Sequence, residues 1–177
     1  MTEIFEKNGK FFSPTIVLKC EIAFPYLLET AELNNKFGVT LVFDSASPEL
    51  VKAKNIIDEI SQKFCGQPDS LNAHPRIKEY KGKMQISATR GESLGRPRVV
   101  DVAKRPLTEA QIKEVGSSSL CNVAVSFASY EYLKKKGVTC YLQAVQVIEA
   151  RQYGVDPFDD LSDEFAAEFE SDVAGLL

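Results

Sequence analysis

The chain has 177 residues, 44% of them hydrophobic, and a formal net charge of −4. That suits one globular core plus an appendage. No apolar run is long enough for a membrane-spanning helix, and residues 1–10 lack a signal-peptide pattern, so a cytosolic protein with no membrane role is expected. The four cysteines (Cys20, Cys65, Cys121 and Cys140) form no CxxC pair and His74 is the sole imidazole, which argues for reduced, mostly buried thiols rather than a zinc site.

The net charge conceals a division. All 21 Lys and Arg lie at or before Arg151, whereas eight of the 25 Asp and Glu lie from Asp156 onward. The body therefore carries +4 and the end of the chain −8. A basic body joined to an acidic tail is a mark of nucleic-acid binding or of a self-screening chain. The reading divides the chain into a domain over 1–151 and a tail over 152–177.

In chain order, β-branched and aromatic residues predict a strand from about Thr15 to Phe24, with Pro25 ending it. Lys36–Asp44 is a second strand. A helix follows, with Ser47 as N-cap, Pro48 in first position and Gly66 as stop; Leu50, Ala53, Ile56, Ile57, Ile60 and Phe64 recur at helical spacing. Residues 66–82 read as loop, Lys83–Thr89 as a strand, Gly91–Pro97 as turn and Arg98–Ala103 as another strand. Thr108–Gly116 suggests a short capped helix. Leu120–Leu133 and Gly137–Ala150 read as a long hairpin that turns at Lys134–Lys136 and Gly137. The order predicts a mainly β protein with one or two helices: an OB-fold-like, five-stranded Greek-key barrel plus the acidic C-terminal tail. Other β-rich barrels fit the same order. In the first hairpin arm Cys121, Val123, Val125 and Phe127 share a core face, and Asn122, Ala124, Ser126, Ala128, Tyr130 and Tyr132 share the other.

Positive charge concentrates between His74 and Arg105. Nine cations lie there (Arg76, Lys78, Lys81, Lys83, Arg90, Arg96, Arg98, Lys104 and Arg105) against Glu79, Glu92 and Asp101. Tyr80 lies among them, and Tyr130, Tyr132, Tyr141 and Phe127 lie on the late strands. Cations that neutralise phosphates, with aromatic platforms for bases, are what sequence-independent single-strand binding requires. The same residues fit a solvated basic loop with core aromatics, and charge leaves the two open.

The segments ISATRGESLGRPRVVD (86–101), CNVAVSFASY (121–130), KGVTCYLQAVQVI (136–148) and DPFDD (156–160) follow one another in this order. Together they resemble a family of bacteriophage single-stranded DNA-binding proteins. The resemblance implies an OB fold, a role in phage DNA replication and recombination inside the host cytoplasm, and a tail that contacts replication proteins such as a polymerase or helicase. Without a tryptophan, stacking falls to Tyr80, Tyr130, Tyr132 and Tyr141. Duplex binding and a homodimer stay open.

In the tail, Phe158, Phe165 and Phe169 are spaced among carboxylates that include Asp159 and Asp160. Anion plus flat ring imitates a single strand, so the tail is expected to compete with DNA for the basic groove and to hold a partner once displaced. Leu161, Phe165 and Phe169 at i, i+4 and i+8 would share one helical side. A purely solubilising tail would not need three phenylalanines. Two rival functions fit parts of the same sequence. An interaction module would act through the tail alone. A Mg²⁺-dependent nuclease would use Asp69, Glu79 and Lys81, but that spacing is common by chance. With no Walker or GxGxxG sequence and one histidine, a non-enzymatic protein without cofactor or metal is expected.

Overall fold

The structure, a computed structural model, describes residues 3–66, 78–80 and 82–151. Alternating apolar and polar residues build nine strands there: β1 (Phe5–Lys7), β2 (Lys10–Phe12), β3 (Ile16–Tyr26), β4 (Lys36–Asp44), β5 (Lys78–Tyr80), β6 (Lys83–Gly91), β7 (Arg98–Val100), β8 (Leu120–Tyr132) and β9 (Lys135–Glu149). Two helices accompany them, α1 (Pro48–Cys65) and α2 (Glu109–Lys113).

Five strands close on themselves. β3 pairs antiparallel with β4 and with β8, β4 with β6, and β8 with β9. A single parallel pairing, Thr89↔Tyr141, joins β6 to β9 and completes the ring. This order, β3-β4-β6-β9-β8, is the expected Greek-key barrel of OB type. β5 and β7 extend it beside β6 and β9, and the β1–β2 hairpin attaches to β8 at Phe12↔Ala128. The barrel interior holds Leu18, Ile22, Leu41, Ile86, Val123, Val125, Phe127, Val138, Leu142 and Val145, all essentially dry. Each such side chain contributes about 1.5–3 kcal/mol by leaving water. The predicted core face of β8 is the observed one; on its other face Ala128 is also buried, where β2 pairs with it.

α1 lies between β4 and β6 in sequence and packs on β2, β3, β4, β8 and β9. Its start is fixed by Ser47, whose Oγ accepts the Glu49 and Leu50 N–H groups at 3.1 and 3.4 Å. Its end is fixed by Gly66, whose φ of 80° few other residues adopt cheaply. The buried stripe Leu50, Ala53, Ile56, Ile57 and Ile60 faces the barrel.

Three local expectations are corrected. Pro25 does not end the first strand. Phe24 takes a φ of 48° and the β3–β4 register shifts between Ala23 and Tyr26, a bulge that accommodates proline's missing N–H. Residues 66–82 are not all loop, because Lys78–Tyr80 pair with β6. The long hairpin turns at Leu133-Lys134, both at positive φ, while Lys135–Gly137 are already strand. The β1–β2 hairpin was not expected at all.

Candidate nucleic-acid interface

The outer face of β4 and β6 carries a groove. Phe37, Val39, Leu41 and Phe43 of β4, with Ile86 and Ala88 of β6, point inward and are buried. Gly38, Thr40, Ser87 and Thr89 occupy the alternate positions, with Gly38 opposite Thr89 and Thr40 opposite Ser87. A Cβ at Gly38 would lie 2.7 Å from the Ala88 carbonyl oxygen, so only glycine permits this close approach of the strands. The result is a shallow floor of small and hydroxyl side chains.

Above that floor lies a groove of about 330 Å³, bordered by Phe24, Tyr26, Leu33, Asn34 and Lys36. Phe24 is 65% exposed, Tyr26 44% and Leu33 97%. A bulky residue at positive φ is a steric outlier, and such outliers cluster at binding sites where the surroundings hold them in place. Here Ser117 does so: its Oγ accepts the Phe24 N–H at 3.0 Å. The loop between β3 and β4 is closed by hydrogen bonds from the Ala31 N–H to the Lys36 carbonyl and from the Lys36 N–H to Asn34 Oδ1. Exposed rings, an exposed cation at Lys36 and a hydroxyl floor suit a flat, anionic polymer.

The nine cations named from the sequence occupy several places. Arg90 closes the barrel mouth, donating to the carbonyls of Gly95, Leu94 and Leu142 at 2.9, 3.1 and 3.4 Å. Arg96 ties the Leu28 carbonyl at 2.9 Å to Glu109 at 2.8 Å, and its guanidinium holds the Glu109 carboxyl below the usual range. Lys83 pairs with Asp44, which raises the ammonium pKa. Arg105 bonds Asp101 at 3.0 Å. Arg98 on β7 and Lys104 in the following turn are exposed, and neither makes an ion pair with a described residue. Lys78 stands opposite Gln85 on β5, and Arg76 and Lys81 lie outside the described residues.

The aromatics also separate. Tyr80 is placed opposite Lys83. Tyr141 is half-buried on β9 between Thr89 and Ser126, beside the groove floor. Tyr130 lies across Gly137, where a Cβ would meet its ring at 2.7 Å. Tyr132 is 69% exposed near the hairpin turn. Phe158, Asp159, Asp160, Phe165 and Phe169 lie outside the described residues, as do Asp69 and His74. Among the described residues no group of acidic, cysteine or histidine side chains is arranged to hold a metal. Cys20, Cys121 and Cys140 are free and buried.

A family model described as "Enterobacter phage Enc34, ssDNA-binding protein" matches residues 22–172. The chain belongs to that family. Solved structures share its fold at low sequence identity. The single-stranded DNA-binding protein from bacteriophage Enc34 is 15% identical over 92% of this chain and 99% of its own, with a TM-score of 0.62. The same phage protein in complex with ssDNA gives 16% over 84% and 91%, with a TM-score of 0.55. Gp2.5, a single-stranded DNA-binding protein encoded by bacteriophage T7, gives 17% over 93% and 95%, with a TM-score of 0.57. No curated protein sequence matches.

Within this Enc34-family chain the sequence reading missed the groove's own residues: Phe24, Tyr26, Leu33, Lys36 and Gly38. A signal was present. Phe24-Pro25-Tyr26 puts two rings around a proline at a strand end, where the outward direction of a side chain depends on the bulge rather than on simple alternation.

Proposed function

We propose that this Enc34-family protein binds single-stranded DNA in the groove over β4 and β6, largely independent of sequence. The observation that carries the reading is Phe24, an exposed ring held at positive φ beside Tyr26, above a floor narrowed by Gly38. Bases stack on Phe24 and Tyr26, and Tyr141 extends the platform. Phosphates meet Lys36, Arg98 and Lys104, with Arg76, Lys78, Lys81, Lys83 and Arg105 as further contacts. Arg90 and Arg96 serve mainly to hold the barrel mouth and the β3–β4 loop. Membership of a family described as ssDNA-binding supports the reading.

The protein acts without a chemical step, in phage DNA replication and recombination within the host cytoplasm. No helix among the described residues is long and apolar enough to cross a membrane. Residues 1–151 form the binding domain, and residues 152–177 compete with DNA and recruit replication proteins through Phe158, Phe165, Phe169 and neighbouring carboxylates.

The test is an anisotropy titration with a labelled oligonucleotide. Binding should weaken with salt at a log–log slope of about −0.7 per neutralised phosphate. Phe24→Ala with Tyr26→Ala should weaken it further at every salt concentration. If a chain lacking residues 156–177 fails to bind at low salt, the reading is rejected in favour of a protein-interaction module.

A further inference from the structure

The β1–β2 hairpin is an addition to the closed ring, and it is firmly attached. The Phe11 N–H donates to Ser129 Oγ at 2.9 Å, and Ser13 exchanges two hydrogen bonds with the Phe127 backbone, at 2.8 and 2.9 Å. β2 runs antiparallel to β8 and pairs at Phe12↔Ala128, so the Asn8-Gly9 turn points the same way as the Leu133-Lys134 turn. The Phe64 ring at the end of α1 links the two hairpins. It meets Phe11 edge-on at 6.2 Å, and Lys136 Nζ lies 5.0 Å over it.

These two tips carry costs that the barrel does not require. Leu133 and Lys134 hold φ of 50° and 66° in a two-residue turn that favours Asn-Gly. Leu133 is 77% exposed. Lys7 stands directly opposite Lys10, a like-charge pairing that weakens a strand pair. Neither lysine, nor Lys134, forms an ion pair with a described residue. At the two tips, over residues 5–12 and 130–137, five lysines stand against two acids, Glu6 and Glu131. Phe5, half-exposed, stacks on Phe12 at 5.6 Å. Cations with no ion-pair partner among the described residues, beside exposed rings, fit a polyanion with flat bases.

The outer face of β9 leads there from the groove. Tyr141 adjoins Thr89, Thr139 and Gly137 follow on the same face, and Tyr130 lies on Gly137. We propose that the paired hairpin tips form a second contact for single-stranded nucleic acid, which takes the strand as it leaves the groove, with Lys7, Lys10 and Lys134 on its phosphates. The inference rests on the groove reading and lengthens the site it describes.

The full chain and a Lys7→Ala, Lys10→Ala, Lys134→Ala variant are titrated with two labelled oligothymidylates. One is of about 5 nucleotides and one of about 15, lengths within the range of single OB folds. The side chains are exposed and the Lys7–Lys10 repulsion is removed, so the variant should melt no lower than wild type. With the long strand the variant should bind roughly tenfold more weakly at low salt, with a salt slope shallower by about 2. With the short strand it should bind as wild type does. Equal losses on both lengths would put these lysines in the groove and overturn the second contact. Loss on neither would overturn it while wild-type binding leaves the groove reading standing. Failure of wild type to bind either strand would sink both.

Discussion

A phenylalanine with φ of 48° and 65% of its surface in water is costly twice over, in backbone strain and in exposed ring. Ser117 holds the peptide N–H, and the register shift before Tyr26 absorbs the bend. If the ring is kept for stacking, two substitutions should separate cost from use. Phe24→Ala keeps the strained backbone and loses the ring. Phe24→Gly loses the ring and relaxes the strain. Both should weaken oligonucleotide binding by about 1–3 kcal/mol, the worth of one stacked base. Only the glycine variant should gain stability, about 1 kcal/mol over the alanine variant in urea melts. Equal melts would mean that the fold imposes no strain there. The sequence carried only the Phe24-Pro25-Tyr26 run as a sign of this, because alternation assigns a face by counting and a bulge resets the count.

Asp101 makes a second prediction at this scale. Its Oδ1 accepts the Ala103 and Arg105 N–H groups at 2.8 and 2.9 Å, and Oδ2 accepts from the Arg105 guanidinium at 3.0 Å. The Arg105 N–H, above all, holds the carboxyl below its ordinary pKa. A depressed folded pKa means that the stabilisation is present above the unfolded value, about 3.9, and is lost as pH falls through the folded one. Melting temperatures followed from pH 6 downward, a range of about 4 units, should therefore decline more steeply for wild type than for Asp101→Asn. Parallel curves would remove the turn from the acid response. The sequence offered Asp101 only as an acid among cations; its part in folding the turn after β7 is visible only in the folded chain.

Among the elements, legibility followed how local the deciding interaction is. α1 was readable to within a residue because its cap, its N1 proline, its apolar stripe and its stop are all encoded within one stretch. The β1–β2 hairpin was equally local, since Asn8-Gly9 between Lys7 and Lys10 is a strong two-residue turn signal. Its flanking strands are only three residues each and take their stability from β8, so the turn signal alone does not predict them. β5 depended on pairing with β6 and gave no sign of its own. The β4–β6 pair carries the prediction here. Gly38→Ala would drive a Cβ against the Ala88 carbonyl oxygen, which is backbone and cannot swing away. The strands must part, at about 1–3 kcal/mol in denaturant unfolding, and the groove floor should lose affinity for DNA alongside. A Gly38→Ala protein as stable as wild type would show that the two strands have slack.

For the molecule as a whole, strand order in the sequence was enough to suggest the barrel, yet its closure was hidden, because it depends on one parallel contact between residues 52 positions apart, Thr89 and Tyr141. The candidate site was hidden for a related reason. Counting charge along the chain favoured the segment from His74 to Arg105, whereas folding gives Arg90 and Arg96 structural partners and brings Phe24, Tyr26 and Lys36 from earlier strands to the β4–β6 face. The division of charge between body and tail survives this rearrangement, since it depends on sequence alone. The last described residue, Arg151, is anchored by the Gly116 N–H and Ser119 Oγ on its carbonyl, at 2.6 and 3.0 Å, within the same loop whose Ser117 holds Phe24. The residue to which the tail is attached therefore sits on the loop that holds Phe24 at the groove's border. A tethered segment has an effective concentration of about 1 mM, so an intrinsic tail affinity of about 0.1 mM would leave roughly one groove in ten open. Removing residues 156–177 should then tighten binding of a labelled oligonucleotide by about tenfold at low salt. The gain should fade near 1 M salt, where the screening length shrinks to about 3 Å. Replacing Phe158, Phe165 and Phe169 with alanine, all charges kept, should give part of that gain if the rings also compete. Binding that is unchanged or weaker after truncation would mean that the tail's eight carboxylates never enter the groove.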